Sequence, residues 1–431
     1  MSIYVVIADS ASMNTLAIVN LSCLVLLSLL HLVMGYLFYR FVLHAPRIRA
    51  PRDYAPRAVV VLSLRGPDPF LRDTLLSLLQ QDYPNYAIRV VVDSEQDPSW
   101  AVVSEVAAKA GKIPFEYSAL ANRSETCGLK CSSIVQAVES MQPEDEILVL
   151  SDADVVPCRQ WLSDLVEPLS QPEIGVVSGN QWFHPRHGQL GSLVRNIWHA
   201  GAIIPTVLYG NPWAGSCAMR IKDIRSTGLL EKWKQTIVDD GPICEVFRPT
   251  GKRIHFVPSL VVVNREECNV RFCFTYIRRM LTWSRIYEKT FLLTPLHALL
   301  MLGSLVVAVA LVIWGTLFAN SLVVSCATAG LFLFAISMLC AYLLVDSAVV
   351  KVVRGRGELI NHTSFARLIK LAGLFPFAIF IYGVVIFPAM FARRIKWREV
   401  TYEVHGRWNV RKIDDRPYPH TRIDSEHAAS V

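Results

Sequence analysis

Four places in the chain put carboxylates or cations where they could act on a substrate. An apolar run ends in Asp93, and a second, Ile147–Ser151, runs into Asp152-Ala153-Asp154. Side chains two apart on an extended chain point the same way, so Asp152 and Asp154 face one side. Two like charges that close are costly unless a cation or ligand balances them. Their hard oxygens suit Mg2+ or Mn2+, ions that bridge diphosphates. A third acidic site, Asp239-Asp240, precedes Gly241-Pro242 and the helical-looking Ile243–Arg248, and a fourth segment, Ile277–Arg285, carries Arg278, Arg279 and Trp283. Plainer readings stand beside these. Asp93 is a good turn residue or N-cap, Asp239-Asp240 suits the start of a helix, and the Asp-x-Asp tripeptide is common. Ile277–Arg285, with Phe272, Phe274 and Tyr276, reads as an interfacial helix whose basic groups snorkel to headgroup level.

The elements that must hold these residues alternate in type. Ala58–Leu64, Ile88–Asp93, Pro114–Tyr117 and Ile147–Ser151 have strand composition, and Pro69–Gln81, Ser99–Ala110 and Leu129–Met141 show helical spacing of apolar residues. This β-α-β-α order predicts an α/β fold with a mainly parallel sheet and helices on both faces. Such sheets bind ligands beyond the carboxyl ends of their strands, which is where Asp93 and Asp152 fall. Other chemistries lack their devices: the sequence has no Gly-x-x-x-x-Gly-Lys-Ser/Thr, no Gly-x-Gly-x-x-Gly, no His-Glu-x-x-His and no Gly-x-Ser-x-Gly.

Composition places this unit on a membrane. Of 431 residues, 52% are hydrophobic and 18% charged, a bias beyond that of soluble domains. Four apolar runs without Asp, Glu, Lys or Arg, Thr15–Tyr39, Leu296–Phe318, Ser321–Val345 and Leu371–Ala392, are each long enough to cross a bilayer core. Between Arg57 and Lys289 there are 25 Lys+Arg and 26 Asp+Glu, so the +7 net charge comes from the membrane flanks. That position fits lipid headgroups and topology and argues against nucleic acid. The ten cysteines are scattered without a zinc-site spacing and read as reduced thiols. The first run, with nothing basic before it and no small-residue cleavage site, reads as a permanent anchor. Arg40, Arg47, Arg49, Arg52 and Arg57 after it place the next domain in the cytosol. A hairpin of runs two and three returns the chain to that side. The fourth run breaks the charge bookkeeping, because Arg393, Arg394, Lys396 and Arg398 follow it; Pro376 and Pro388 inside it allow a bent or re-entrant segment. The expected division is an anchor at 1–43, a linker at 44–56, a cytosolic catalytic domain at 57–265, and an amphipathic interfacial region at 266–292. A transmembrane hairpin at 293–345, a basic cytosolic loop at 346–370, a transmembrane or re-entrant segment at 371–392 and a basic polar tail at 393–431 complete it.

Leu64-Arg65-Gly66-Pro67-Asp68-Pro69-Phe70-Leu71, followed by Gln81-Asp82-Tyr83-Pro84-Asn85-Tyr86, resembles the first strand-helix unit of the membrane-bound, inverting family-2-type glycosyltransferases, most closely their ceramide glucosyltransferase-like branch. The resemblance spans about residues 55–290 and implies a GT-A (nucleotide-diphospho-sugar transferase) fold. It implies that Asp93 contacts the uracil-ribose part of the donor, that Lys130 of Gly128-Leu129-Lys130 lies near the donor, and that Asp152 and Asp154 hold the metal and diphosphate. Gly215–Arg220 resembles the acceptor-side strand, and Asp240 matches the general base. Arg279-Met280-Leu281-Thr282-Trp283 resembles the (Gln/Arg)-x-x-Arg-Trp motif near donor diphosphate and acceptor, with Thr282 where the pattern has Arg. Trp397-Arg398-Glu399-Val400-Thr401-Tyr402 is similar to a C-terminal Trp-Arg-Gly-x-x-Tyr, with Glu399 in place of Gly. The implied reaction is a single in-line displacement with a divalent cation, Mg2+ or Mn2+. The expected partners are a UDP-sugar, a membrane lipid acceptor such as ceramide, and the bilayer. The alternative is a processive polysaccharide synthase of the cellulose or hyaluronan synthase type. A catalytically idle scaffold is a third reading, against which the four acidic positions stand together.

Overall fold

The computed structural model describes residues 10–418. A long helix, α1 (Ser10–His44), leads into the predicted alternation: β1 (Ala58–Leu64), α2 (Leu71–Leu78), β2 (Tyr86–Val92), α3 (Ser99–Ala107), β3 (Phe115–Ala119), α4 (Leu129–Glu139) and β4 (Ile147–Ser151). The second half adds α5 (Trp161–Val166), β5 (Ile174–Phe183), α6 (Leu190–Leu208), β6 (Ser216–Arg220), α7 (Ile221–Thr227), α8 (Leu229–Trp233), α9 (Gly241–Phe247) and β7 (Arg253–Asn264). The seven strands form one sheet in the order β3-β2-β1-β4-β6-β5-β7. Strands β3, β2, β1 and β4 are parallel, whereas β6 runs antiparallel to both β4 and β5, so the sheet is mixed.

Alternation along β1 shows how the sequence builds two cores. Val59 and Val61 join Leu129, Ile134 and Trp233 on one face, and Val60 and Leu62 join Leu75, Leu78 and Trp161 on the other. A strand buried on both faces reads as an unbroken apolar run, which is what AVVVLSL is. Leu64 pairs with Val92, and Leu62 with Ser151. This register brings Arg65, Asp93 and Asp152 out at the same edge of the sheet.

Beyond β7 come α10 (Val270–Tyr287), α11 (Leu293–Leu317), α12 (Ser321–Gly355) and α13 (Phe365–Phe391). Asn269 caps α10 by accepting from the Phe272 N–H at 2.8 Å, and Cys273, Ile277 and Leu281 form its buried stripe. Four helices, α1, α11, α12 and α13, are long and apolar enough to cross a membrane. Ala17, Leu311, Val323 and Ala327 pack together at the far end of the first three, in a cluster without an α13 residue. α13 meets α11 from Thr294, whose carbonyl accepts from the Tyr382 hydroxyl at 3.1 Å, to Leu302 beside Gly383, and its Ile379 clusters with Leu24, Leu27, Met301, Ala308 and Phe334 of the other three helices. It stays helical through Pro376 and Pro388. Both its ends are tied to the α/β unit: Arg367 donates to the Pro185 carbonyl at 3.0 Å, and the Ala392 carbonyl accepts from Arg285.

Residues 394–415, inside the stretch expected as a polar tail, form a second sheet of β8 (Arg394–Trp397), β9 (Val400–Gly406) and β10 (Asn409–Asp415). Ile395, Val400, Tyr402, Val404 and Val410 enter the core around Trp233, and the Tyr402 hydroxyl accepts from the Leu129 N–H at 3.1 Å. Charged residues alternate with these apolar ones, which is why composition alone gave the segment a polar character. The β8–β9 turn is Arg398-Glu399, with φ of 44° and 65°. Two positive φ values match a type I′ hairpin, a turn that favours glycine. Left-handed backbone costs a non-glycine residue about 1–2 kcal/mol, partly offset by the ~0.5–1 kcal/mol chain entropy that glycine loses on folding. Glu399→Gly is therefore expected to raise stability by about 0.5–1 kcal/mol; a thermal midpoint of the solubilised protein that stays or falls would contradict this.

Candidate active site

The acidic and basic residues singled out above gather where the parallel strands end. Both oxygens of Asp93 are engaged: Oδ2 accepts from Arg65 at 2.6 Å and Oδ1 from Arg123 at 2.7 Å. Arg123 also pairs with Asp415 at 2.8 Å, and Arg65 donates to the carbonyls of Arg398 at 2.8 Å and Arg416 at 2.5 Å. The last strand among the described residues thus helps to build the end of the site that holds Asp93.

Lys130 sits in the first turn of α4. Gly128 lets that turn approach the 236–239 segment: a Cβ there would lie 2.4 Å from the Ile237 carbonyl oxygen, and its N–H donates to Thr236 O at 2.8 Å. The ammonium pairs with Asp152 and, at 2.7 Å, with Asp239. Burial works against the charge, but Asp152 and Asp239 outweigh it and hold Lys130 above the ordinary lysine range. Gly215 is needed for the same cluster, since a Cβ there would stand 2.4 Å from Asp152 Oδ2.

Asp154 accepts from the Asn264 side chain at 2.9 Å. Burial, then the negative charges of Asp152, Asp68 and Glu266, push its carboxyl up to about 7. Asp240 precedes α9 but makes no side-chain capping bond, so the cap reading does not describe it. Burial and the neighbouring Asp239 push Asp240 up to about 7, with Lys130 pulling the other way. Of the acidic pair, Asp239 is therefore committed to Lys130, and Asp240 is poised to exchange a proton near neutral pH.

α10 carries Arg279 to this cluster. Burial holds its guanidinium below the ordinary arginine value, Arg398 adds to that, and Tyr276, Glu266 and Asp154 oppose it. Trp283 is partly buried against the core that contains Ile237 and Val238. Thr282 is buried and donates to the Arg278 carbonyl at 2.7 Å, so that position brings no charge. Arg278 is exposed, and Arg285 is spent on the Ala392 carbonyl. The second guanidinium at the site is Arg398, which donates to Asp68 at 2.6 Å and to the Arg65 carbonyl, and whose charge reaches Asp154 and Arg279. Arg65, Asp68, Arg123 and Arg398 were not among the expected site residues. The first two lie in the quoted LRGPDPFL segment and Arg398 in WREVTY, so the signal was present without a role attached.

Asp152 and Asp154 fit a divalent cation. Among the described residues no three His, Cys, Asp or Glu side chains form a cage, which leaves two carboxylates on an open site. Mg2+ in particular is held by one or two carboxylates with substrate phosphates completing its shell. The upward shift of Asp154, caused in part by neighbouring anions, is the signature of a carboxylate that a cation would relieve.

Comparison with known families decides the class: the pattern described as Glycosyl transferase family 21 matches residues 24–410, most of the chain. The chain belongs to glycosyl transferase family 21. It is thus a glycosyltransferase, and the expected transfer of a sugar from a nucleotide sugar stands at that level. The mixed sheet with helices on both faces is the GT-A-type fold expected from the sequence. Among solved structures, a mannosyltransferase from Pyrobaculum calidifontis in complex with GDP-Man and Mn2+ is similar at 18% identity and a TM-score of 0.45, over 85% of this chain and 99% of that one. Glucosyl-3-phosphoglycerate synthase from Mycobacterium tuberculosis is similar at 16% identity and a TM-score of 0.34, over 53% of this chain and 80% of that one.

Proposed function

We propose that this family 21 member is a membrane-bound inverting enzyme that transfers a sugar, with glucose as first choice, from a UDP-sugar to the hydroxyl of a membrane lipid, with ceramide or a similar acceptor as first choice. The observation that carries this reading is Asp240, a carboxyl pushed up to about 7 beside the Lys130–Asp152–Asp239 cluster. The amphipathic helix α10 brings Arg279 to the same place. In this reading Asp93, fixed by Arg65 and Arg123, forms the nucleoside end of the site. Asp152 and Asp154 would hold the divalent cation, which when bound neutralises charge on the diphosphate. Lys130, Arg279 and Arg398 present fixed positive charge to the departing nucleotide. Asp240 takes the proton from the acceptor hydroxyl, whose oxygen bonds to the anomeric carbon as the bond to the diphosphate breaks and its electron pair leaves with UDP. One base suffices, because no covalent intermediate forms.

The arrangement of the helices supports a lipid acceptor. In this reading the α/β unit lies on the cytosolic side, which the arginines after α1 favour, with α1, α11 and α12 as spans. α13 is read as a re-entrant segment, since both its ends attach to the α/β unit while its middle packs against α1, α11 and α12. This reading returns Arg393 to Arg398 to the cytosolic side and removes the conflict in the charge bookkeeping.

The test is incubation of membranes containing the enzyme with several labelled UDP-sugars, followed by mass spectrometry of the extracted lipids. A monoglycosylated lipid whose formation stops with EDTA is expected; a long water-soluble polymer would instead establish the polysaccharide synthase reading. The pH profile gives a second check. Asp240 acts as a base only when deprotonated, so kcat/KM should rise from acid pH and level off above about 7. A profile flat from pH 5.5 to 8 (roughly the window around that value) contradicts the assignment.

A further inference from the structure

A cavity of about 580 Å3 lies apart from the acidic cluster, between the β5–α6 connection and the loop that joins α12 to α13. Its lining includes Arg186, Arg265, Arg367 and Lys370 together with His184, His187 and His362, and no Asp or Glu. The separation from the active site follows from strand geometry. Asn264 and Glu266 turn toward Asp154 and Arg195, with bonds of 2.9 and 2.6 Å, whereas Arg265 between them turns away and donates to the Leu359 carbonyl at 2.6 Å. Carboxylates beside the lining have partners of their own, although Asp346 Oδ1 is buried without a hydrogen bond and faces the charge of Arg367. Glu267 accepts from the backbone N–H groups of His187, Gly188 and Gln189, Glu358 pairs with Arg356, and Asp346 accepts from Thr363.

Three further observations define what the cavity would take. Ser364, Ala366 and Arg367 in its lining form the start of α13, a 27-residue helix whose N-terminal dipole adds positive potential. Arg367 Nε is buried and has no hydrogen-bond partner. The rim is apolar and open: Leu359 is 91% exposed and Phe365, just outside the lining, 77%. A cationic floor calls for a phosphate, and an exposed apolar rim at the cytosolic ends of α12 and α13 calls for acyl chains. A free anion would use the floor but leave the rim in water.

We propose that this cavity is a binding site for a phospholipid of net negative charge, with its headgroup phosphate among Arg186, Arg265, Arg367 and Lys370 and its chains against Leu359 and Phe365. The site is separate from sugar transfer and rests only on the bilayer placement argued above. Burial, followed by the charges of Arg367 and Arg265, holds His184 down at about 4, so that ring stays neutral at physiological pH and the arginines and Lys370 carry the charge.

The test uses the full chain, purified from an equimolar mixture of phosphatidylglycerol and phosphatidylcholine vesicles, with retained lipids counted by native mass spectrometry. Wild type should retain phosphatidylglycerol over phosphatidylcholine by about tenfold, and Arg186→Gln/Lys370→Gln, which alters two exposed side chains, should bring the ratio close to one. The charge-preserving Arg186→Lys/Lys370→Arg should keep the preference, which separates charge from damage to the fold. Equal retention of the two lipids by wild type would overturn the proposal. So would displacement of the retained lipid by millimolar inorganic phosphate, which would mark a site for a soluble anion. A ratio that stays near tenfold in Arg186→Gln/Lys370→Gln would overturn this site alone, leaving the transferase reading intact.

Discussion

Asp240→Asn is expected to lower the rate of sugar transfer by about 10²–10⁴-fold while UDP binding changes little. The substitution keeps the shape of the side chain and its place before α9, and removes the one carboxylate of the pair that is not committed to Lys130. Labelled-lipid formation gives the rate and calorimetry with UDP gives the binding. Asp239→Asn supplies the contrast, since it breaks the pairing of Lys130 and should act mainly through donor KM. Near-normal transfer by Asp240→Asn would mean that another group takes the acceptor proton, and the mechanism proposed here would fall.

Arg398→Ala is the second large effect. Arg398 bonds to Asp68, and its charge acts on Asp154 and Arg279, whereas Thr282 brings no charge to the site. Loss of a fixed donor aimed at developing charge typically costs about 10²–10³ in kcat. The rate should fall by that order, while the acid limb of the pH profile, set by Asp240, should stay in place, because Arg398 is not among the charges that act on Asp240. Arg398→Lys should recover part of kcat, with incomplete recovery because a guanidinium fork donates to Asp68 and the Arg65 carbonyl at once. A variant that loses only stability, with kcat intact in the folded fraction, would assign Arg398 to holding the hairpin.

What the sequence disclosed depended on how locally each feature was encoded. β1 and β4 appear at their predicted limits because a strand buried on both faces must be apolar throughout. Asp93, Lys130, Asp152, Asp154 and Asp240 lie at one edge of the sheet because each follows a strand or begins a helix, whereas Arg279 comes from the middle of α10. β5 and β7 were harder to see: their runs contain Gly, Asn, Gln or Pro, and their pairing joins residues far apart, as Val177 with His255. Arg398 was invisible as a site residue for the same reason. Nothing near it in the chain indicates that its hairpin will fold back onto Arg65, more than three hundred residues earlier. Thr282 marks a position without charge, and the guanidinium that reaches Asp68 comes from a hairpin far along the chain.

That fold-back also sets the order in which the protein can become competent during synthesis. Asp152, Asp154 and Asp240 emerge early, and α11, α12 and α13 must all be made before the hairpin is. Until it docks, Asp93 lacks Asp415 behind Arg123, Arg65 lacks the carbonyls that orient it, and no guanidinium balances Asp68. A nascent chain, or one cut short by proteolysis, therefore exposes its acidic cluster without a finished nucleotide pocket. Turnover of the nucleotide sugar is thereby deferred until the hairpin has been made and has docked.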